Sequence, residues 1–252
     1  MIEFAPVIWV SAVTVTLVAG LVKGATGFAL PLIMVSGLST IMPPQLAVAG
    51  ILVPVVVSNA LQTFRKGVRP AVEAVRAYWR YVLILCVSIV LFAQAVPHID
   101  PQTFMLVLGI PVLILSLIQL FGVRLFVAPR HRGWAEWVGG VISGALGGLA
   151  GTWGPITVLY LMAVDTPKER QVIIQGVIYG TGSVMLFVAH LYSGILNTAT
   201  APFSALLAVP ALFGMWVGFK IQDRLDQNLF RKATLVVLVI AGLNLIRRGV
   251  FG

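Results

Sequence analysis

Lys23 is the one basic side chain set deep within an apolar region of this 252-residue chain, and a charge inside a membrane costs enough to count as a functional candidate by default. It opens the segment Lys23-Gly-Ala-Thr-Gly-Phe28, and a second glycine-rich segment, Gly148-Leu-Ala-Gly-Thr-Trp-Gly-Pro155, also precedes a short apolar run. Glycine lets an anion come close to the backbone, and the start of a helix offers unpaired N–H groups with partial positive charge. The chemistry expected is therefore the binding of a small anion. Lys23, Gly24, Thr26, Gly27 and Phe28 would act from the first segment, and Gly148, Gly151, Thr152 and Trp153 from the second. Two other roles are open to Lys23, snorkelling to the interface or pairing with an acid. The spacing of Gly20 with Gly24, and of Gly144 with Gly148, also suits close helix packing; Gly20 and Gly144 are assigned to packing.

Neutral polar residues form a second set. Ser58, Asn59 and Gln62 stand near the end of the third apolar stretch, and Gln175, Tyr179, Thr181 and Ser183 stand in the matching stretch of the second half. Asn59, Gln62, Gln175 and Thr181 are taken as candidate substrate contacts, although each can equally bond a neighbouring helix for about 0.6 to 2 kcal/mol. Gln94, Gln119 and Asn244 have no counterpart in the other half and are read as structural. His190 lies near a helix end and is read as an interfacial histidine, with a proton site as its alternative. Asp100, Asp165 and Asp223 fall in loops and Glu136 at a helix start. No carboxylate is thus central in a long apolar stretch, which argues against a cation carrier. Cys86 is the single cysteine, so no disulfide or paired-cysteine metal site is expected. HExxH, GxSxG and Walker A motifs are all missing from the sequence. No catalytic residue, metal or cofactor is expected, and without a nucleotide site any work must come from ion gradients or the membrane potential.

The elements that must hold these residues follow from composition. Hydrophobic residues make up 59% of the chain and charged ones 10%, against about a quarter charged in a soluble domain. A net charge of +9 would suggest nucleic acid in a soluble protein. Here the basic residues sit between apolar runs and do not interleave with aromatics, so they read as membrane orientation signals. The N-terminus carries an acid where a secretion signal has bases, and reads as a retained first helix. Nearly uncharged stretches cover residues 4–22, 28–41, 45–64, 81–96, 102–123, 137–150, 153–164, 171–192, 202–219 and 233–246. A helix needs about 20 residues to cross the hydrocarbon, so 28–41 and 153–164 call for another arrangement.

Both of these short runs follow a glycine break, and the breaks repeat. Gly20, Gly24, Gly27 and Pro31 stand 124 residues before Gly144, Gly148, Gly151 and Pro155, and Pro44 and Pro167 correspond within one residue. A single transmembrane domain of two halves is predicted, about 1–125 and 133–252, joined by the basic linker 124–132. If each broken segment returns to the face it entered, 14 of the 17 Lys and Arg lie on the cytoplasmic side and only Arg247 and Arg248 outside; if each crosses once, the division is 10 to 6. The positive-inside rule favours the former. The fold class predicted is an all-α polytopic membrane protein of two repeats, each a glycine-broken re-entrant helix pair plus three transmembrane helices. Three crossings make the repeats inverted, with a parallel duplication as the alternative. Residues 65–80 place Val68, Val72, Val75 and Trp79 on one face and read as an interfacial helix.

The doubled unit consists of GLVKGATGFALPLI followed by PPQLAVAGILVPVVVSNALQTFRKG, and of GALGGLAGTWGPITVLYL followed by PKERQVIIQGVIYGTGSVMLFVAHLYSG. On these segments the chain resembles, over nearly its whole length, the TauE/SafE family of membrane transporters, often called sulfite or organosulfonate exporters. Family members commonly show a denser glycine run where this chain has Thr26, Phe28, Thr152 and Trp153, with Lys23 just before. The resemblance implies a multi-pass protein of the bacterial inner membrane that exports sulfite or an organosulfonate. Its partners would be the anion and the lipid bilayer, with a homodimer left open. A monoanion leaving a negative-inside cell moves downhill by about 2.3 kcal/mol per 100 mV, so a uniport suffices. The competing readings are a cation or metal permease of the same architecture and a non-catalytic membrane scaffold.

Overall fold

Long aliphatic runs leave the backbone no water to bond with, and the helix satisfies every N–H and C=O within the segment. The computed structural model describes residues 5–64, 67–123, 126–166, 168–222 and 227–251, and among them the regular structure is entirely helical. The helices are α1 (Pro6–Thr26), α2 (Leu30–Leu38), α3 (Pro44–Phe64), α4 (Val68–Ala77), α5 (Trp79–Ala93), α6 (Pro101–Leu120), α7 (Arg132–Ala150), α8 (Gly154–Ala163), α9 (Lys168–Tyr192), α10 (Ala201–Gln222) and α11 (Gln227–Phe251). Among the described residues, six segments are long and apolar enough to cross a membrane: Pro6–Thr26, Pro44–Phe64, Trp79–His98, Pro101–Leu120, Ile173–Tyr192 and Ala201–Ile221. The chain is thus an all-α polytopic membrane protein. Arg65, Lys66, Arg124, Pro167, Asp223 and Arg224, which entered the reading of charge and repeat, lie outside the described residues.

Small residues set which helices touch. A Cβ on Gly20 would fall 2.2 Å from the carbonyl oxygen of Ala211, and one on Gly24 2.2 Å from that of Met215; across the contact, Gly214 and Gly218 sit equally close to Leu17 and Leu21. Only glycine permits backbones this near, and the rising order of the partners makes α1 and α10 parallel. The same device joins α7 to α5, where Gly140 meets Ile84, Gly144 meets Leu85 and Ser88, and Gly148 meets Ile89 and Ala93. Two other pairs are antiparallel. On α3 and α9, Asn59 bonds Tyr179 and Thr63 bonds Gly176. On α6 and α11, Gly109 meets Gly242 and Ile246, while Gly249 meets Leu106 and Gln102. Exchanging α1 with α7, α2 with α8, α3 with α9, α5 with α10 and α6 with α11 carries these pairings onto one another.

Inside α3, Pro54 cannot donate to the carbonyl four residues back, Gly50. The buried Ser204 hydroxyl of α10 donates to that oxygen at 3.3 Å and accepts from Val53 N at 3.0 Å, so a neighbouring helix repairs the ladder. On α4, Ala71 and Ala74 are buried, whereas Val68, Val72 and Val75 stay exposed, as does Trp79 at the start of α5, so the single helix read over residues 65–80 is broken at Tyr78. An apolar face left open on a helix rich in arginine suits a membrane surface.

The breaks come later than the glycine pattern suggests. Helix α1 continues through Lys23 and Gly24 to Thr26 before Gly27 turns left-handed at φ 83°, its N–H bonding Lys23 O at 2.7 Å. Helix α7 continues through Gly148 to Ala150 before Gly151 does the same at φ 66°, bonding Gly147 O at 2.6 Å. Both are glycine C-caps in the αL conformation, and the proline that follows each, Pro31 or Pro155, lies in the first turn of the next helix, where its missing N–H costs nothing.

Candidate anion site at the helix breaks

The two breaks meet. A Cβ on Gly154 would lie 3.3 Å from Phe28, and one on Gly151 3.2 Å from Pro31. Between them is a cavity of about 20 Å³ lined by Lys23, Phe28, Ala29, Pro31, Leu32, Asn59, Gly151, Thr152, Trp153, Gly154, Pro155 and Tyr179. That space admits little more than a single water, so the site is closed. No carboxylate is among the lining residues. The first-turn amides of α2 and α8 have no partner within their own helices, and both helices start at this cavity.

Lys23 is 2% exposed. Its Nζ donates to Asn59 Oδ1 and, at 3.2 Å, to Gln62 Oε1. Asn59 in turn donates from Nδ2 to the Tyr179 carbonyl at 3.1 Å, which fixes its oxygen toward the lysine. Thr63, one turn further along α3, bridges the Asn59 and Gly176 carbonyls at 2.8 and 2.6 Å. The ammonium has three donors and here meets two neutral acceptors. No ion pair to it is formed among the described residues. A buried charge without a counter-charge is expensive.

The second break is held by hydroxyls. Ser143 donates to the Trp153 carbonyl at 3.0 Å and contacts Thr157 at 3.0 Å, and Thr157 contacts Tyr81 at 3.1 Å. Thr152 donates to Leu146 O at 3.0 Å, and Tyr179 reaches Gly154 O at 3.3 Å. These bonds draw carbonyls of the break and of the last turn of α7 onto side chains. His190 is fully buried, with Nε2 at 3.0 Å from the Gly148 carbonyl and Nδ1 at 3.1 Å from Ser193. It is therefore not the interfacial histidine expected from its place near a helix end, but a cap on a carbonyl that helix α7 leaves open.

Of the residues singled out in the sequence, Lys23, Phe28, Asn59, Gly151, Thr152 and Trp153 line one cavity, and Gln62 joins them through Lys23. Gly24 and Gly148 lie within helices, packed against α10 and α5. Gly27 caps α1 beside Gln62, and Thr26 bonds back to Val22 O at 2.7 Å. Gln175 is buried one turn from Tyr179, outside the lining, and Thr181 bonds Val177 O in its own helix. Tyr179 is the lining residue the motif reading named only among neutral donors. Glu136, read as a plain helix-start residue, is buried; it pairs with Arg132 at 3.4 Å and accepts from Tyr160 at 3.3 Å.

Open vestibules flank this closed site at the two ends of the bundle. One, about 730 Å³, is lined by residues including Arg76, Tyr78, Arg80, Arg132, Glu136 and Asp165. The other, about 680 Å³, includes Thr40, Met42, Asp100, Gln102, Met105 and Arg248. Helix α6 runs from Asp100 at the second toward the end where α7 begins at Arg132.

No curated protein and no solved structure matches this chain. A family model described as Sulfite exporter TauE/SafE matches residues 12–245, from within α1 to within α11 and so across both breaks, and the chain belongs to that family of membrane transporters, which are not enzymes.

Proposed function

We propose that this protein exports a small sulfur oxyanion, sulfite or an organosulfonate, across the bacterial inner membrane by alternating access around the two helix breaks. The observation that carries the proposal is a fully enclosed lysine whose partners are neutral, at the point where both breaks touch. In this reading Lys23 is the counter-charge of the cargo and the first-turn amides of α2 and α8 complete its cage. Asn59 and Gln62 hold the ammonium in place, and Thr152 and Trp153 form the opposite wall. The lack of a carboxylate in the lining weighs against the cation permease.

Each broken pair acts as a re-entrant hairpin, and the halves, about 1–125 and 133–252, are inverted. What supports this is the packing. The turn after α2, at Thr40, lines one vestibule, and the turn after α8, at Val164 and Asp165, lines the other. The counterpart pairs α3 with α9, and α6 with α11, run antiparallel. Two hairpins dipping from opposite faces let a modest tilt of either half open the site to one side only.

Purified protein in liposomes loaded with labelled sulfite or a sulfonate provides the test. Efflux is expected to rise as the interior is made negative, since a monoanion gains about 2.3 kcal/mol per 100 mV. Lys23→Met, inserted and folded as judged by its melting curve, is expected to lose most of that flux. Normal efflux by this variant removes Lys23 from the mechanism.

A further inference from the structure

From the second vestibule we infer an additional oxyanion-binding site, with Arg248 as its cationic ligand, at the end of the bundle away from α4. The Arg248 guanidinium lines the 680 Å³ cavity. Its Nη1 is buried and has no hydrogen-bond partner among the described residues. A guanidinium is always charged and offers donors in a rigid fork that matches an oxyanion. A nitrogen of that fork shut away from water without an acceptor therefore needs a ligand.

The one carboxylate in the cavity lining does not fill that role. Asp100 caps α6, accepting from Gln102 N at 3.1 Å and Thr103 N at 2.9 Å. Hydrogen bonds from Thr103 and then from the local backbone hold its carboxyl below the usual carboxylate range. Its charge is committed to the positive end of the helix, and no ion pair joins it to Arg248. The neighbouring Arg247 differs: it is exposed and bonds Asn244 at 3.2 Å. At the opposite vestibule Arg132 of the lining pairs with Glu136 at 3.4 Å. For cargo that passes Lys23, and resting on that reading, Arg248 is a cation it meets at the mouth before leaving.

The ligand is a small water-borne oxyanion; the competing source of the same chemistry is a lipid phosphate. In wild-type protein in neutral-lipid nanodiscs, phenylglyoxal modification of Arg248, mapped by mass spectrometry, is expected to slow about tenfold with saturating methanesulfonate. Modification of Arg247 is expected to stay within about twofold, as its side chain has no such pocket. Equal slowing of both arginines, no slowing, or slowing by added phosphatidylglycerol alone overturns the site. In liposomes, Arg248→Gln is expected to raise the half-saturating anion concentration about tenfold at an unchanged maximal rate, with Arg248→Lys recovering most of it. An unchanged half-saturation overturns the role in transport. Lys23→Met keeps the Arg248 protection while losing flux; if instead it transports normally, the Lys23 reading fails and the Arg248 site is judged by protection alone.

Discussion

Lys23 and Asn59 pose the chemical question at the scale of single residues. The Lys23 side chain is enclosed by protein, with an asparagine and a glutamine as acceptors, and in the proposed reading an anion completes that geometry. Supplying the missing negative charge from within should therefore occupy the site permanently. Asn59→Asp is expected to fold, since the carboxylate still accepts from Lys23, and to lower anion efflux at least about tenfold, because a charge-assisted bond is worth more than the neutral one it replaces. Efflux equal to wild type would mean that the lysine serves only the fold. Lysine within an apolar run was legible from its position, as was the polar pair on the third stretch. That they touch, and that Tyr179 rather than Gln175 or Thr181 closes the cavity, depends on the rotation of α9 against α3, which no spacing reveals.

At the scale of elements, glycine has two jobs here that the sequence writes identically. Gly27 and Gly151 bend the chain at positive φ, whereas Gly20, Gly24, Gly144 and Gly148 let helix backbones touch. A pattern of Gly-x-x-x-Gly cannot separate these, because both need only the absence of a Cβ. The contacts do separate them and give a paired prediction. Gly20→Ala pushes a methyl into the Ala211 carbonyl and is expected to destabilise by about 1 to 3 kcal/mol. Gly133→Ala, in the first turn of α7 with nothing within 4 Å of its new Cβ, is expected to be neutral or stabilising by up to about 1 kcal/mol. Thermal melts in detergent compare the two, and equal melting temperatures would contradict the packing described for α1 and α10. Ser204 teaches the same lesson: its hydroxyl matters because Pro54 of another helix leaves Gly50 unsatisfied.

For the molecule as a whole, the question is what must move. A cavity of about 20 Å³ between two open vestibules is a closed state, and passage of a polyatomic anion requires the breaks to part. The point of contact is Phe28 against Gly154, where the added Cβ would lie 3.3 Å from that of Phe28, close to the separation a disulfide spans. In a background with Cys86→Ser, the double variant Phe28→Cys with Gly154→Cys is expected to crosslink on oxidation and to stop sulfonate efflux, and reduction is expected to restore it. Full efflux from the crosslinked protein would show that the breaks stay together throughout transport. Charge placement along the chain pointed to a membrane protein with its basic loops on one side, and the family match across residues 12–245 agrees with the transporter class.

Hydropathy and composition by themselves determined that this chain lies in a bilayer as helices, because a backbone without water has no other economical way to bond itself. The glycine and proline spacing pointed to a doubled unit and to the two segments in which the helices break, since those residue types mark backbone limits locally. The tertiary structure alone decided which glycines bend and which pack, that His190 and Glu136 are buried partners rather than surface groups, and that Arg248 lines a cavity with its Nη1 unbonded among the described residues. These are outcomes of helix rotation and pairing, and they depend on side chains more than a hundred residues apart that no local pattern relates.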